Sequence, residues 1–218
     1  MATGAPKDLV AAGSDVENFE AFREQQRAAV ADALIELVGT SGFAAVNVSD
    51  LVRVVDMSRK TFYKYFPSIE AALVYTQKMV LTGMRTEPAL RHKSGLSHFL
   101  GQLRGIADLA LERPDRMIFL GFFDFAVKGS IPAADRETYE AFTVRLAEES
   151  LSAFAQGQRD GSIDPGLPAT ETVLASTNAV FGLAQRCLNA STTAKNKGLT
   201  GRLIAAELHA WEAVLTAK

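Results

Sequence analysis

The chain has 218 residues, of which 48% are hydrophobic and 22% charged, with a formal net charge of -2. That is the composition of an ordinary globular protein of one large domain or two small ones, and the total charge gives no sign of a polyanionic partner. A single cysteine, Cys187, excludes an intrachain disulfide framework and a multi-cysteine metal site; with no long apolar run and no apolar signal core, the expectation is a soluble, cytoplasmic chain.

In chain order, residues 1–13 carry Gly4, Pro6 and Gly13 and read as a mobile tail. Ser14 with Glu17 has the spacing of a capping box. Phe19, Phe22, Val30, Ala33, Leu34, Leu37 and Val38 follow at helical spacing up to Gly39 and Gly42, with a break possible near Glu24 in the polar run REQQR. Asn47 is read as the cap of a short helix with Asp50 reaching back to it, so Asp50 is a capping residue and not a catalytic acid. Asp56 ends that helix, Ser58 caps a second short one, and Pro67 stops it. A longer helix starts at Ser68 and runs to about Thr86, with Pro88 at its exit. Further helices are expected at about 95–112, 115–128, 134–159, 168–191 and 199–216. Gly161, Pro165, Gly166 and Pro168 mark a loop. No segment alternates with period two, and the expected fold class is all-α.

Charge is unevenly spread. Residues 1–22 set Lys7 against Asp8, Asp15, Glu17 and Glu20, whereas residues 58–66 hold Arg59, Lys60 and Lys64 with no acid. A short helix, a tight turn and a second short helix make the helix-turn-helix layout, whose second helix is offered to the major groove. On that helix Phe62 and Phe66 lie one turn apart and face inward. Arg59, Lys60, Tyr63 and Lys64 fall on other faces. Tyr63 and Tyr65 each carry a hydroxyl that can bond a phosphate oxygen.

The stretch GFAAVNVSDLVRVVDMSRKTFYKYFPSIEAAL, residues 42–73, resembles the DNA-binding domain of the TetR family of bacterial transcriptional regulators. The resemblance is carried by Gly42, Phe43, Val48, Asp50, Leu51, Ser58, Thr61, Phe62, Tyr63, Tyr65, Phe66, Ser68, Glu70 and Leu73. Departures are Val52 and Val55 at positions where the family uses small residues, Asp56 in place of a turn glycine, and Ile69 in place of a lysine that contacts phosphate. Lys60 stands where the family often has glycine. The resemblance implies an N-terminal three-helix helix-turn-helix domain followed by a helical-bundle ligand-binding and dimerisation domain. The corresponding boundaries are an extension at 1–22 that joins the first helix from about residue 15, a DNA-binding domain at 23–67, and a second domain at 68–218. DNA contacts are expected from Asn47, Ser58, Arg59, Lys60, Thr61, Tyr63, Lys64 and Tyr65.

The C-terminal part holds a second unusual stretch, MIFLGFFDFAV, residues 117–127, apolar around the whole helix and therefore expected in the middle of the bundle. Read from residues alone it is a packed central helix or an aromatic-walled cavity with Asp124 as polar anchor; the resemblance favours the cavity. Candidate ligand-binding residues are Phe99, Leu103, Phe119, Phe122, Phe123, Asp124, Phe125, Phe142 and Phe181. Ala175, Ala179 and Gly182 form one small-residue stripe, and Leu203, Ala206, Ala210, Trp211 and Val214 a second apolar one. Both are candidate dimer-interface residues, since a helix-turn-helix monomer grips few base pairs. Arg186 pairs with an acid across an interface or reaches an anionic effector, and the residues leave this open. His92, His98 and His209 are scattered, so neither a metal nor a cofactor is expected, and no constellation points to an enzyme. The partners expected are double-stranded DNA with a near-palindromic operator, a small-molecule effector and a second copy of the chain, with no membrane.

Overall fold

A computed structural model describes residues 8–42, 46–84, 93–190 and 197–216. Those residues form helices and connecting turns without a strand, so the all-α expectation is borne out. The chain divides into two compact units, Met1–Thr76 and Gln77–Lys218.

The first unit contains α1 (Asp8–Ser41), α2 (Val48–Val54), α3 (Arg59–Tyr65) and the start of α4 (Ile69–Gly83). Val30, Ala31, Leu34, Ile35, Leu37 and Val38 of α1 are buried, as are Leu51 of α2 and Phe62 and Phe66 of and after α3. One helix runs unbroken over 34 residues where the sequence suggested a start at Ser14 and a break near Glu24. Ser14 therefore lies within α1 and not at its start. Phe19 and Phe22, expected on the buried face, are 60% and 52% exposed. The reason is length: at 1.5 Å per residue α1 is about 51 Å long, while α2 and α3 span about 10 Å each and cover only part of it.

The turn between α2 and α3 is built by the chain itself. Asn47 Oδ1 accepts from Asp50 N (3.0 Å) and Asn47 Nδ2 donates to Asp50 Oδ2 (2.6 Å), which bears out the cap reading of both. At the other end of α2, Asp56 adopts φ 50 and Met57 N donates to Val52 O (3.0 Å). That is the left-handed closing turn for which glycine is the usual residue, and aspartate tolerates it at modest cost. Ser58 Oγ then accepts from Thr61 N (3.0 Å) and opens α3.

The second unit contains the rest of α4, then α5 (Gly95–Glu112), α6 (Pro114–Phe122), α7 (Ala133–Asp160), α8 (Ala169–Ala190) and α9 (Lys197–Thr216). Its centre is α5, which packs on α6, α7, α8 and α9 and buries Phe99, Leu103 and Ile106. Gly95 and Gly157 let α5 and α7 touch backbone to backbone. A Cβ on Gly95 would lie 2.0 Å from Gly157 N. The same junction satisfies free N–H groups at the start of α5: Gly95 N donates to Asp160 Oδ2 (2.8 Å) and Leu96 N to Ser162 Oγ (3.1 Å). The bonds from Ser162 and Gly95 hold the Asp160 carboxyl below its ordinary value. Gly161, at φ 74, closes α7.

Between α6 and α7, residues Phe123–Val127 form one wide π-turn, in which Lys128 N donates to Phe123 O (2.9 Å). The stretch 117–127 is not buried all round. Met117, Phe119, Leu120, Phe123 and Val127 face the core, whereas Ile118 is 37% and Phe125 95% exposed. Thr86, Pro88, Phe43 and His92 lie outside the described residues, as do residues 1–7 of the expected tail. Among the described residues no helix is long and apolar enough to cross a membrane.

Candidate nucleic-acid interface and cavity

α3 divides sharply by phase. Phe62 (0% exposed) packs at 5.8 Å from Phe66, and Phe66 in turn meets Tyr75 of α4 at 5.4 Å. Arg59, Lys60, Tyr63 and Lys64 are exposed, and Thr61 and Tyr65 partly so. Three cations and two phenol hydroxyls thus stand on one short helix that carries no acid. Arg59 Nη2 donates to Ser49 Oγ of α2, which fixes the guanidinium at the start of α3. Asn47 and Ser58 are exposed beside them, with their side-chain oxygens engaged as helix caps. The structure therefore brings all eight expected DNA-contact residues to the helix-turn-helix surface.

One residue with a part in this surface had no signal in the sequence. The Arg27 guanidinium of α1 lies over the Phe66 ring (5.7 Å) and the Tyr75 ring (5.9 Å), and its Nη2 donates to Tyr65 O (3.4 Å). Tyr75 donates its hydroxyl to Glu24; burial and that carboxylate push the phenol well above its ordinary value, so it stays protonated. Arg27 joins α1, the end of α3 and α4 at one point. Arg27→Ala is expected to lose both ring contacts and cost about 1–3 kcal/mol in urea unfolding, and Arg27→Lys recovers less than half because an ammonium lacks the planar stack.

In the second unit the nine expected ligand residues fall in different surroundings. Phe99, Leu103, Phe119 and Phe123 are fully buried in the packed core, where Phe99 meets Phe154 edge-on at 5.5 Å and Phe123 meets Tyr139 at 5.1 Å. Phe142 lies under the Lys78 ammonium (5.4 Å), and Phe181 is partly exposed on α8. Asp124 is exposed by area, yet the apolar side chains around it raise its carboxyl above the ordinary value against the pull of Lys128. Phe122 and Phe125 line a cavity of about 390 Å³, with Met117, Ile118 and Gly121 of α6 and Gln185 and Leu188 of α8 among its described walls. A smaller space of about 250 Å³ lies beside His98, Glu149, Ser152 and Gln156. Deep in the unit, Gln77 Nε2 donates to Tyr139 Oη (3.4 Å), while Gln77 Oε1 is buried without a partner among the described residues.

The candidate interface residues on α8 and α9 are turned outward. Ala175, Gly182, Ala206 and Ala210 are exposed, Leu203 is 42% and Val214 45% exposed, and Ala179 and Trp211 are partly exposed. Trp211 Nε1 donates to Glu207 Oε1 (2.9 Å). Leu174 and Leu199, not singled out from the sequence, extend the same apolar exposure.

Residues 30–74 match the family model described as bacterial regulatory proteins, tetR family. The resemblance read in residues 42–73 is thereby borne out. No curated protein matches the chain in sequence. Among solved structures, the chain is similar to a TetR family transcription regulator from Marinobacter aquaeolei VT8, at 21% identity and a TM-score of 0.58, covering 86% of this chain and 97% of that one. It is similar to the TetR family regulator PfmR from Thermus thermophilus, at 16% identity and a TM-score of 0.64, covering 83% and 97%. A third similar structure is Thermus thermophilus FadR, a TetR family transcriptional repressor in complex with lauroyl-CoA, at 16% identity and a TM-score of 0.56, covering 88% and 96%. These likenesses establish the fold.

Proposed function

We propose, from the premise that residues 30–74 are a TetR-family DNA-binding domain, that the protein is a homodimeric, sequence-specific transcriptional regulator, a repressor released from its operator by a small, largely apolar effector. Residues 23–67 grip DNA, and residues 68–218 dimerise and bind the effector. The observation that carries this reading is the division of α3 into an anchored aromatic face and an exposed face with Arg59, Lys60, Tyr63 and Lys64. Arg59 is the candidate base reader, because a guanidinium pairs with the guanine edge through two hydrogen bonds. Lys60, Lys64 and the tyrosine hydroxyls are the phosphate contacts.

Dimerisation is supported by an exposed stripe on α9, Leu199, Leu203, Ala206, Ala210 and Val214, beside the exposed Leu174, Ala175 and Gly182 of α8. Apolar exposure of this extent marks an interaction surface. Two copies reading one duplex face must set their recognition helices about 34–36 Å apart, one helical turn. An effector preferring another spacing lowers operator affinity by its differential binding, typically about 1–3 kcal/mol.

Selection on random duplex DNA is expected to enrich one near-palindrome. Arg59→Ala should relax the choice of base at one position per half-site, at about 1–3 kcal/mol. Lys60→Ala should weaken all sequences alike and reduce the salt slope by about 1. A folded dimer that enriches nothing would remove the reading. The alternative, an effector-free DNA-binding dimer regulated by abundance, is supported by the filled core around Phe99, Phe119 and Phe123. The cavity beside α6 supports the effector reading instead.

A further inference from the structure

The cavity between α6 and α8 has a chemical character of its own. Met117, Ile118, Phe122, Phe125 and Leu188 make its walls apolar, and among the described residues no charged side chain lines it. One polar side chain does, that of Gln185. The Gln185 amide packs on α6. It lies against Gly121, where a Cβ would come within 3.3 Å of its carbon and its nitrogen. Glycine at 121 therefore serves two ends: it lets the amide reach the cavity floor and it leaves the floor open. The wall ends at the π-turn, a distortion that costs helix regularity and recurs at functional sites. Just there Phe125 stands 95% exposed at the rim.

We infer that this cavity is the binding site for an uncharged, mostly apolar small molecule carrying one hydrogen-bonding group, with Gln185 as its polar anchor. The inference rests on the effector reading for its consequence, but the site itself is a separate claim. Size and lining fit: about 390 Å³ lies toward the small end of ligand pockets, which combine apolar walls with few placed polar groups. Neutrality follows from the lining, because a charged ligand would lose its hydration without finding a countercharge. A carboxamide offers both a donor and an acceptor, so it suits a hydroxyl, an amine N–H or a carbonyl.

The test uses the full chain and three probes of similar shape. N-phenyl-1-naphthylamine is neutral with one N–H; 1-benzylnaphthalene lacks the N–H; 8-anilinonaphthalene-1-sulfonate adds a negative charge. Saturable binding of the amine, one per chain, is expected, with the sulfonate weaker by about tenfold or more. Gln185→Leu should weaken the amine by about fivefold and leave the hydrocarbon, measured by competition, unchanged. Gly121→Val and, from the opposite wall, Leu188→Trp should each weaken both neutral probes by about tenfold. Equal binding of the sulfonate, or neutral-probe binding untouched by all three substitutions, would overturn the site. So would a dimer that takes up no neutral probe because a second copy already covers the groove. Operator affinity at saturating amine separates the two claims. If the binding pattern holds and operator affinity does not move, the site stands and effector release falls. If small molecules release the operator from Gly121→Val as from the unaltered chain, regulation stands and this site falls.

Discussion

Phe62→Ala is expected to abolish operator binding and to destabilise the first unit by about 3–5 kcal/mol, the usual cost of emptying a fully buried phenylalanine site. The ring is 0% exposed and touches both Tyr63 (5.3 Å) and Phe66 (5.8 Å) on its own helix end. α3 is only seven residues long, too short to persist without tertiary support. Removing the ring therefore frees the helix that carries Arg59, Lys60 and Lys64. Hydrogen exchange should show lost protection in residues of the first unit, while far-ultraviolet circular dichroism retains the helices of the second. Phe62→Leu should recover part of both stability and binding. Ordinary operator affinity in the alanine variant would contradict the anchoring role given to Phe62.

Gly95→Ala is the second large effect, and it acts through backbone. The new Cβ would sit 2.0 Å from Gly157 N, 2.5 Å from Gly157 Cα and 2.6 Å from Ala153 O. None of these atoms can rotate away, so α5 and α7 must separate. Overpacking of this kind costs about 3 kcal/mol or more when no side chain can yield. Separation would also stretch the bonds from Gly95 N to Asp160 and from Leu96 N to Ser162. Urea unfolding followed by circular dichroism should report the loss. Probe binding to the cavity between α6 and α8 offers a second readout, because α5 packs on both helices. A variant as stable as the unaltered chain would mean that α5 and α7 approach less closely than described.

Much of the helix-turn-helix unit was written in interactions between residues three to five apart. The Asn47 and Ser58 caps and the inward phase of Phe62 and Phe66 are of this kind and followed from spacing, whereas the left-handed turn at Asp56 was implied by the family resemblance. Helix limits in the second unit were legible for the same reason, since Gly161 and Pro168 act where they stand. Phe19 and Phe22 were misjudged because a helical apolar stripe does not say how far its covering helices extend.

By itself, then, the sequence determined the all-α class, the short-helix pair and the face of α3 left exposed, because those depend on the torsions and neighbours of a few consecutive residues. Only the tertiary structure decided which of the crowded phenylalanines fill the core and which rim a cavity. Phe119 and Phe123 are buried while Phe125, two residues on, is open, and no periodicity separates them in a run that is apolar on every side. The same holds for Arg27 over Phe66, Gly95 on Gly157 and Gln185 on Gly121. Each pair is brought together by chain closure over about 40 to 65 residues, whose entropy is repaid by the packing of whole helices and leaves no mark in local spacing.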